Sequence, residues 1–142
     1  MLTLAIIKPD AVAAGNAGKI LALLEGQGFK LRAARFVRLS QTEAEAFYAV
    51  HRERPFFRPL VAFMTSGAAL ALVLERDNAV AHLRDVIGAT DPAAAKPGTI
   101  RKLYAQSTER NAVHAADSPA TAAREVTFFF SEIGRASCRE RV

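Results

Sequence analysis

Apolar and polar positions recur with clear periods along most of the chain. Leu2 to Lys8 is a short apolar run that closes on Lys8-Pro9-Asp10, which predicts a buried strand stopping at the proline. Between Asn16 and Gln27, Ala17, Ile20, Leu21 and Leu24 fall at helical spacing, and Gly28 is placed to end that helix. From Phe29 to Leu39, Phe29, Leu31 and Ala33 alternate with Lys30 and Arg32 until the phase slips at Ala33-Ala34. The expected element is a strand with one exposed face and a bulge or bend. Ser40-Gln41-Thr42-Glu43 has the form of a capping box. The helix it opens carries Ala44, Phe47, Tyr48 and His51 on one face and should end before Pro55. A second helix takes Phe57, Leu60, Val61 and Met64 as its stripe and Gly67 as its stop. That stripe turns Phe56 away from the core and makes it a candidate platform for a ligand.

Leu70 to Leu74 is continuously apolar, the pattern of a strand buried on both faces. Asp77 to Ile87 reads as a helix burying Val80, Leu83 and Ile87, with His82 toward water and Arg84 at the edge of the stripe. From Ala89 to about Ala112 periodicity is weak, and a long unpatterned segment inside a domain is a place to look for function. Ser118-Pro119 reads as an N-cap followed by proline at the first helical position. A short helix bearing Arg124 and Glu125 should follow, then a last strand over Val126 to Phe130. The order suits an α/β (α+β), ferredoxin-like domain: a four-stranded, mainly antiparallel sheet with helices packed on one face.

A length of 142 residues, 51% hydrophobic and 23% charged, describes one ordinary globular domain spanning residues 1–132, followed by an unpatterned tail over 133–142. No apolar run approaches the ~20 residues of a membrane span, and no signal-peptide pattern is present, so a cytoplasmic protein without membrane partners is expected. The net charge of +5 raises the question of phosphate ligands or nucleic acid. Ile133 to Val142 resembles the translation of a common sequencing adapter; without it, three arginines and one glutamate are lost and the charge falls by two, to +3. Cys138, the only cysteine, lies in that stretch and permits no internal disulfide.

The remaining polar residues converge on one chemistry. Lys8 stands at a strand end, Arg84 and Thr90 near a helix end, Arg101 in the unpatterned segment, then Asn111 and His114. Arginine forks and lysine point charges suit polyphosphates, and a neutral imidazole is a competent nucleophile. The two standard nucleotide-phosphate cradles, the P-loop and the kinase catalytic loop, are absent, as is any zinc-site spacing. Phosphoryl transfer through a phosphohistidine is the reaction these residues point to.

At this level of detail the chain resembles nucleoside diphosphate kinase from about Leu2 to Phe130. The resemblance is carried by Thr3-Leu4-Ala5-Ile6-Ile7-Lys8-Pro9-Asp10-Ala11-Val12, Phe47-Tyr48-Ala49-Val50-His51-Arg52-Glu53-Arg54-Pro55-Phe56-Phe57 and Met64-Thr65-Ser66-Gly67. Gly88-Ala89-Thr90-Asp91-Pro92, Pro97-Gly98-Thr99-Ile100-Arg101 and Asn111-Ala112-Val113-His114 complete it. It implies a ping-pong exchange in which His114 accepts the terminal phosphate of a nucleoside triphosphate and passes it to a diphosphate. Lys8 and Tyr48 would attend the transferred group, and Glu125 would orient the histidine. Arg84, Thr90 and Arg101 would hold the other phosphates, Asn111 the ribose, and Phe56 the base without choosing among bases. The family further implies Mg2+ carried on the phosphates rather than by protein ligands, and a homo-oligomer, tetramer or hexamer.

The family usually has Gly-Ser-Asp after the histidine, whereas Ala115-Ala116-Asp117 stands here. If residue 115 needs positive φ, its alanine is expected to be strained. A ferredoxin-like RNA-binding module shares the order of elements and the basic charge, but its paired aromatic strand motifs are missing, and nucleic acid is not an expected partner.

Overall fold

The computed structural model describes residues 1–133. Four strands form one antiparallel sheet in the order β2-β3-β1-β4, with β1 Leu2–Ile7, β2 Lys30–Val37, β3 Ala69–Glu75 and β4 Val113–Ala115. The helices are α1 Pro9–Ala13, α2 Ala17–Gly26, α3 Gln41–Phe47, α4 Phe57–Met64, α5 Ala79–Ile87, α6 Ile100–Tyr104 and α7 Pro119–Phe129. Short 3-10 turns occupy Ala49–His51 and Pro92–Ala94. The four-stranded antiparallel architecture is the one expected, but the fourth strand is not where the pattern placed it. Val126 to Phe130 completes α7 and its C-cap, and the sheet is closed instead by the three-residue β4.

The helices cover both faces rather than one. Because side chains alternate along a strand, Ala5 and Ile7 of β1 join Leu70, Leu72 and Leu74 of β3 in one cluster with Ile20, Leu24, Leu83 and Ile87. Leu4 and Ile6 join Ala71 and Val73 in the opposite cluster with Phe47, Val61, Met64, Val126 and Phe129. Burial of each large apolar side chain contributes about 1.5–3 kcal/mol, so two filled faces make β1 and β3 the rigid centre of the domain. Ile133, counted with the tail by the sequence pattern, packs partly against the second cluster; the rest of that segment, 134–142 with Cys138, lies outside the described residues.

Local rules explain the remaining elements. Ser40 and Glu43 exchange both bonds of the capping box at the start of α3. The helix stops at Phe47, sooner than expected, and His51 lies in the following 3-10 turn. In β2 the register shifts between Leu31 and Ala33, close to the slip in the pattern, and among the described residues the strand is an edge of the sheet. His82 does not face water: its ring is half-buried at 5.5 Å from that of Phe29. The weakly patterned segment after α5 is also more ordered than its composition suggests, since α6 and the 3-10 turn at Pro92–Ala94 lie within it.

Candidate active site

β1 delivers Lys8 to the edge of a cavity of about 490 Å³, and Pro9 begins α1 immediately afterwards, so the chain turns at the lysine. Lys8 is 7% exposed, and its Nζ donates to Asn111 Oδ1 at 2.8 Å. Burial, and then the Arg101 guanidinium, push the ammonium down from 10.5 to about 8, against the pull of the Asp10 carboxylate.

β4 pairs with β1 so that His114 stands opposite Ile6, on the same face as α3 and α7. Its ring is confined edge-on by Phe47 at 5.2 Å and Tyr48 at 5.8 Å. Nε2 lies 2.8 Å from Glu125 Oε1, and the Glu125 side chain is only 4% exposed. The cap that starts α7 sets this contact, because Ser118 Oγ accepts the Thr121 N–H and Pro119 opens the helix, bringing Glu125 round to the histidine two turns later. When Nε2–H donates to the carboxylate, the lone pair of the neutral ring resides on Nδ1, which becomes the nucleophilic atom.

Tyr48 lines the cavity with its hydroxyl buried and without a partner among the described residues, and burial followed by the Glu125 charge raises its pKa well beyond the ordinary value. Phe56, 46% exposed at the N-cap of α4, is a further lining residue, its ring 5.2 Å from that of His51. Thr90, just beyond α5, also lines the cavity.

Six of the nine residues expected from the sequence therefore share one cavity: Lys8, Tyr48, Phe56, Thr90, Asn111 and His114. Glu125, Arg84 and Arg101 are not among its lining residues, and Arg84 is exposed. Arg101 sits on α6 rather than in a loop and is 8% exposed. Its guanidinium donates to the carbonyls of Val113 at 2.8 Å, Gly88 at 3.1 Å and Asn111 at 3.4 Å. Burial first, then the charge of Arg84, lower its pKa to about 10. Arg84 reaches the Ala115 carbonyl at 3.5 Å.

Gly88, the C-cap of α5, lets that helix end against the start of α6. It has φ +93°, and a Cβ there would meet Thr99 Oγ1, the cap of α6, at 2.6 Å. A larger residue would separate α5 from α6 and move Arg101 off its carbonyls.

Two features escaped the sequence. The backbone strain expected at Ala115 is absent, since that residue is an ordinary member of β4; it falls on Ala112, buried at φ +74°. His51, Thr108 and Glu109 also line the cavity. Only the Phe47 to Phe57 motif pointed toward His51, and no period in the sequence marked the other two.

Comparison with known proteins agrees with this geometry. The sequence profile of nucleoside diphosphate kinase matches residues 2–134. The nucleoside diphosphate kinase of Bordetella pertussis is 57% identical over 131 residues, covering 92% of this chain and 93% of that protein. That of Nitrosospira multiformis is 55% identical over the same length, with the same shares. Among solved structures, the Aquifex aeolicus nucleoside diphosphate kinase superposes with a TM-score of 0.91 at 43% identity, covering 94% of this chain and 96% of that one. The Halobacterium salinarum nucleoside diphosphate kinase in complex with CDP gives 0.89 at 38% identity, with 92% and 87% covered. A match spanning nearly the whole described domain, with the same sheet and a carboxylate-held histidine in its cavity, places the chain in one group: it belongs to the nucleoside diphosphate kinase family.

Proposed function

We propose that the protein transfers the terminal phosphate of a nucleoside triphosphate to a nucleoside diphosphate through a phosphohistidine at His114. The observation that carries this reading is the 2.8 Å contact between His114 Nε2 and buried Glu125, which leaves Nδ1 as the attacking atom in a cavity edged by Lys8. Nδ1 attacks the γ-phosphorus as the bond from that phosphorus to the β,γ-bridging oxygen breaks, and the electron pair leaves with the diphosphate. A second diphosphate then attacks the phosphohistidine through its terminal oxygen and restores the neutral ring.

Lys8 balances charge on the transferred group, and the Tyr48 hydroxyl, without a partner among the described residues, supplies a donor beside it. Thr90 holds the departing phosphates from the cavity lining, together with Arg84 and with Arg101 through its charge and the two N–H donors its carbonyl contacts leave free; Asn111 holds the ribose and Phe56 the base. Phe56 offers a face rather than hydrogen-bonding groups, so bases should be used with little discrimination. The CDP bound to the Halobacterium salinarum relative supports pyrimidine diphosphates among the acceptors.

Mg2+ fits this donor set as an ion carried on nucleotide phosphates and water. Glu125 is engaged by His114 and Asp10 by the Ala112 backbone, and Glu109 is the single carboxylate among the described residues that line the cavity, too few for an ion held by the protein alone. When bound, the ion would neutralise phosphate charge. The β2 edge, with Phe36 63% and Leu31 40% exposed, supports assembly with further copies of the chain as a tetramer or hexamer. The family's place in nucleotide metabolism supports a cytoplasmic site of action; no described helix is long and apolar enough to cross a membrane.

The test is exchange of label from a γ-labelled triphosphate into several unlabelled diphosphates. Parallel double-reciprocal plots and turnover with both purine and pyrimidine acceptors are expected. Intersecting plots, or no transfer to any diphosphate, would refute the reading.

A further inference from the structure

Asp10 has no part in the roles assigned above, yet its carboxylate is tied to the turn that carries Asn111 into the site. The Val113 N–H donates to the Asn111 carbonyl at 2.9 Å, closing a three-residue turn around Ala112 at φ +74°. Turns of that hand are rare for L-residues and persist only when their surroundings over-determine them. Here the Ala112 N–H donates to Asp10 Oδ2 at 3.2 Å, and the Ala112 carbonyl accepts the Lys8 N–H at 2.8 Å. Lys8 Nζ then holds the Asn111 side chain.

We propose that Asp10 is a positioning residue: its carboxylate clamps the strained turn at Ala112 and thereby sets the Asn111 amide and the His114 ring in register with Lys8. This rests on the reading of His114 as the phosphoryl acceptor. Ala112 is fully buried, and removing the carboxylate takes away the acceptor of its N–H. The chain would relieve both the orphaned donor and the strain by rotating Ala112, and His114 is only two residues on. Displacements of about 1 Å are enough to slow a transfer that depends on alignment. The other oxygen, Oδ1, is buried with no partner among the described residues, an arrangement that costs stability by itself. The Asp10 charge also opposes the loss of the Lys8 ammonium's proton.

The test compares Asp10→Ala with Asp10→Asn in the full chain, reading hydrogen exchange of the Ala112 and Val113 amides, the rate of labelling from a γ-labelled triphosphate, and the melting temperature. In Asp10→Ala, exchange at Ala112 should rise and labelling should fall, each by about tenfold or more, while the β3 amides keep their protection. Asp10→Asn keeps an acceptor and should recover most of both losses. Unchanged exchange at Ala112, labelling within about twofold of the parent, or an asparagine no better than alanine would each overturn the clamp. If Asp10→Ala does not fold, Asp10→Glu moves the acceptor by one methylene and must show the faster exchange instead. A parent chain that forms no phosphohistidine would refute the functional reading, and the exchange measurements would still decide the clamp.

Discussion

Replacing Glu125 perturbs the site at one atom. Its Oε1 lies 2.8 Å from His114 Nε2, its side chain is 4% exposed, and Phe47 and Tyr48 wall the ring without hydrogen-bonding it. As Nδ1 bonds to phosphorus the imidazole gains positive charge, so the carboxylate is worth more in the transition state than before it. A hydrogen bond to a charged group contributes about 1.5–3 kcal/mol, so Glu125→Ala should slow phosphorylation of the enzyme roughly 10- to 150-fold. Glu125→Gln keeps a neutral acceptor in the same place and forfeits about 1–1.5 kcal/mol of that, a loss of roughly five- to fifteenfold. Glu125→Gln should lower the melting temperature little, because it keeps an acceptor and removes a desolvated charge, whereas Glu125→Ala also leaves the Nε2–H without its acceptor and should lower it. Rapid-quench measurement of single-turnover labelling, with thermal melts on the same samples, separates the two effects. An alanine variant labelled within about twofold of the parent rate would refute the orienting role, as would a glutamine variant slower than the alanine one.

Lys8 sets a limit on alkaline activity. Below about pH 8 it is charged in the folded and unfolded chains alike; between about 8 and 10.5 the unfolded chain keeps a proton that the folded chain has lost. Its contribution to stability therefore rises with pH across that window while the charge needed at the phosphate disappears. kcat/KM should fall above about pH 8 and kcat should hold to higher pH, since bound phosphate favours the ammonium; a flat kcat/KM up to about pH 10 would contradict this. Phe56→Ala should raise KM for purine and pyrimidine nucleotides alike, by roughly 5- to 150-fold for about 1–3 kcal/mol of stacking, and a loss confined to one base would contradict a non-selective platform. Ala112→Gly should leave the melting temperature nearly unchanged, since relief of about 1–2 kcal/mol of strain is offset by about 0.4–1 kcal/mol of unfolded-state freedom and about 0.8 kcal/mol for one buried methyl. Ala115→Gly, in an unstrained strand, should destabilise by about 1 kcal/mol, and a rise in melting temperature there would show the strain misplaced.

The elements that the sequence revealed are those whose period runs long enough to be read. β1, β3, α2, α4 and α5 each repeat their apolar spacing over six or more residues. β4 has three, too few for any alternation to show, so the strand that holds His114 was invisible as a strand. The run Val126-Thr127-Phe128-Phe129-Phe130 is rich in β-branched and aromatic residues and mimics a strand locally. Yet Ala122, Glu125, Val126 and Phe129 are the buried positions of α7, and their spacing from the Ser118 cap is helical. His82 was misjudged because its neighbour, Phe29, comes from a distant segment. At the site, the residue types and the family motifs identified the chemistry, whereas the strained turn at Ala112 and its bond to Asp10 depend on contacts across 102 residues that no local pattern encodes.

The central claim is that His114 carries the phosphate. The most direct measurement is to mix the protein with γ-labelled nucleoside triphosphate, digest it, and locate the label by mass spectrometry under alkaline and acidic conditions. A single acid-labile phosphate on the peptide containing His114 is predicted, discharged on addition of an unlabelled diphosphate and absent from His114→Ala. Label that survives acid, or that resides on His51 or His82, or that persists in His114→Ala, would contradict the account.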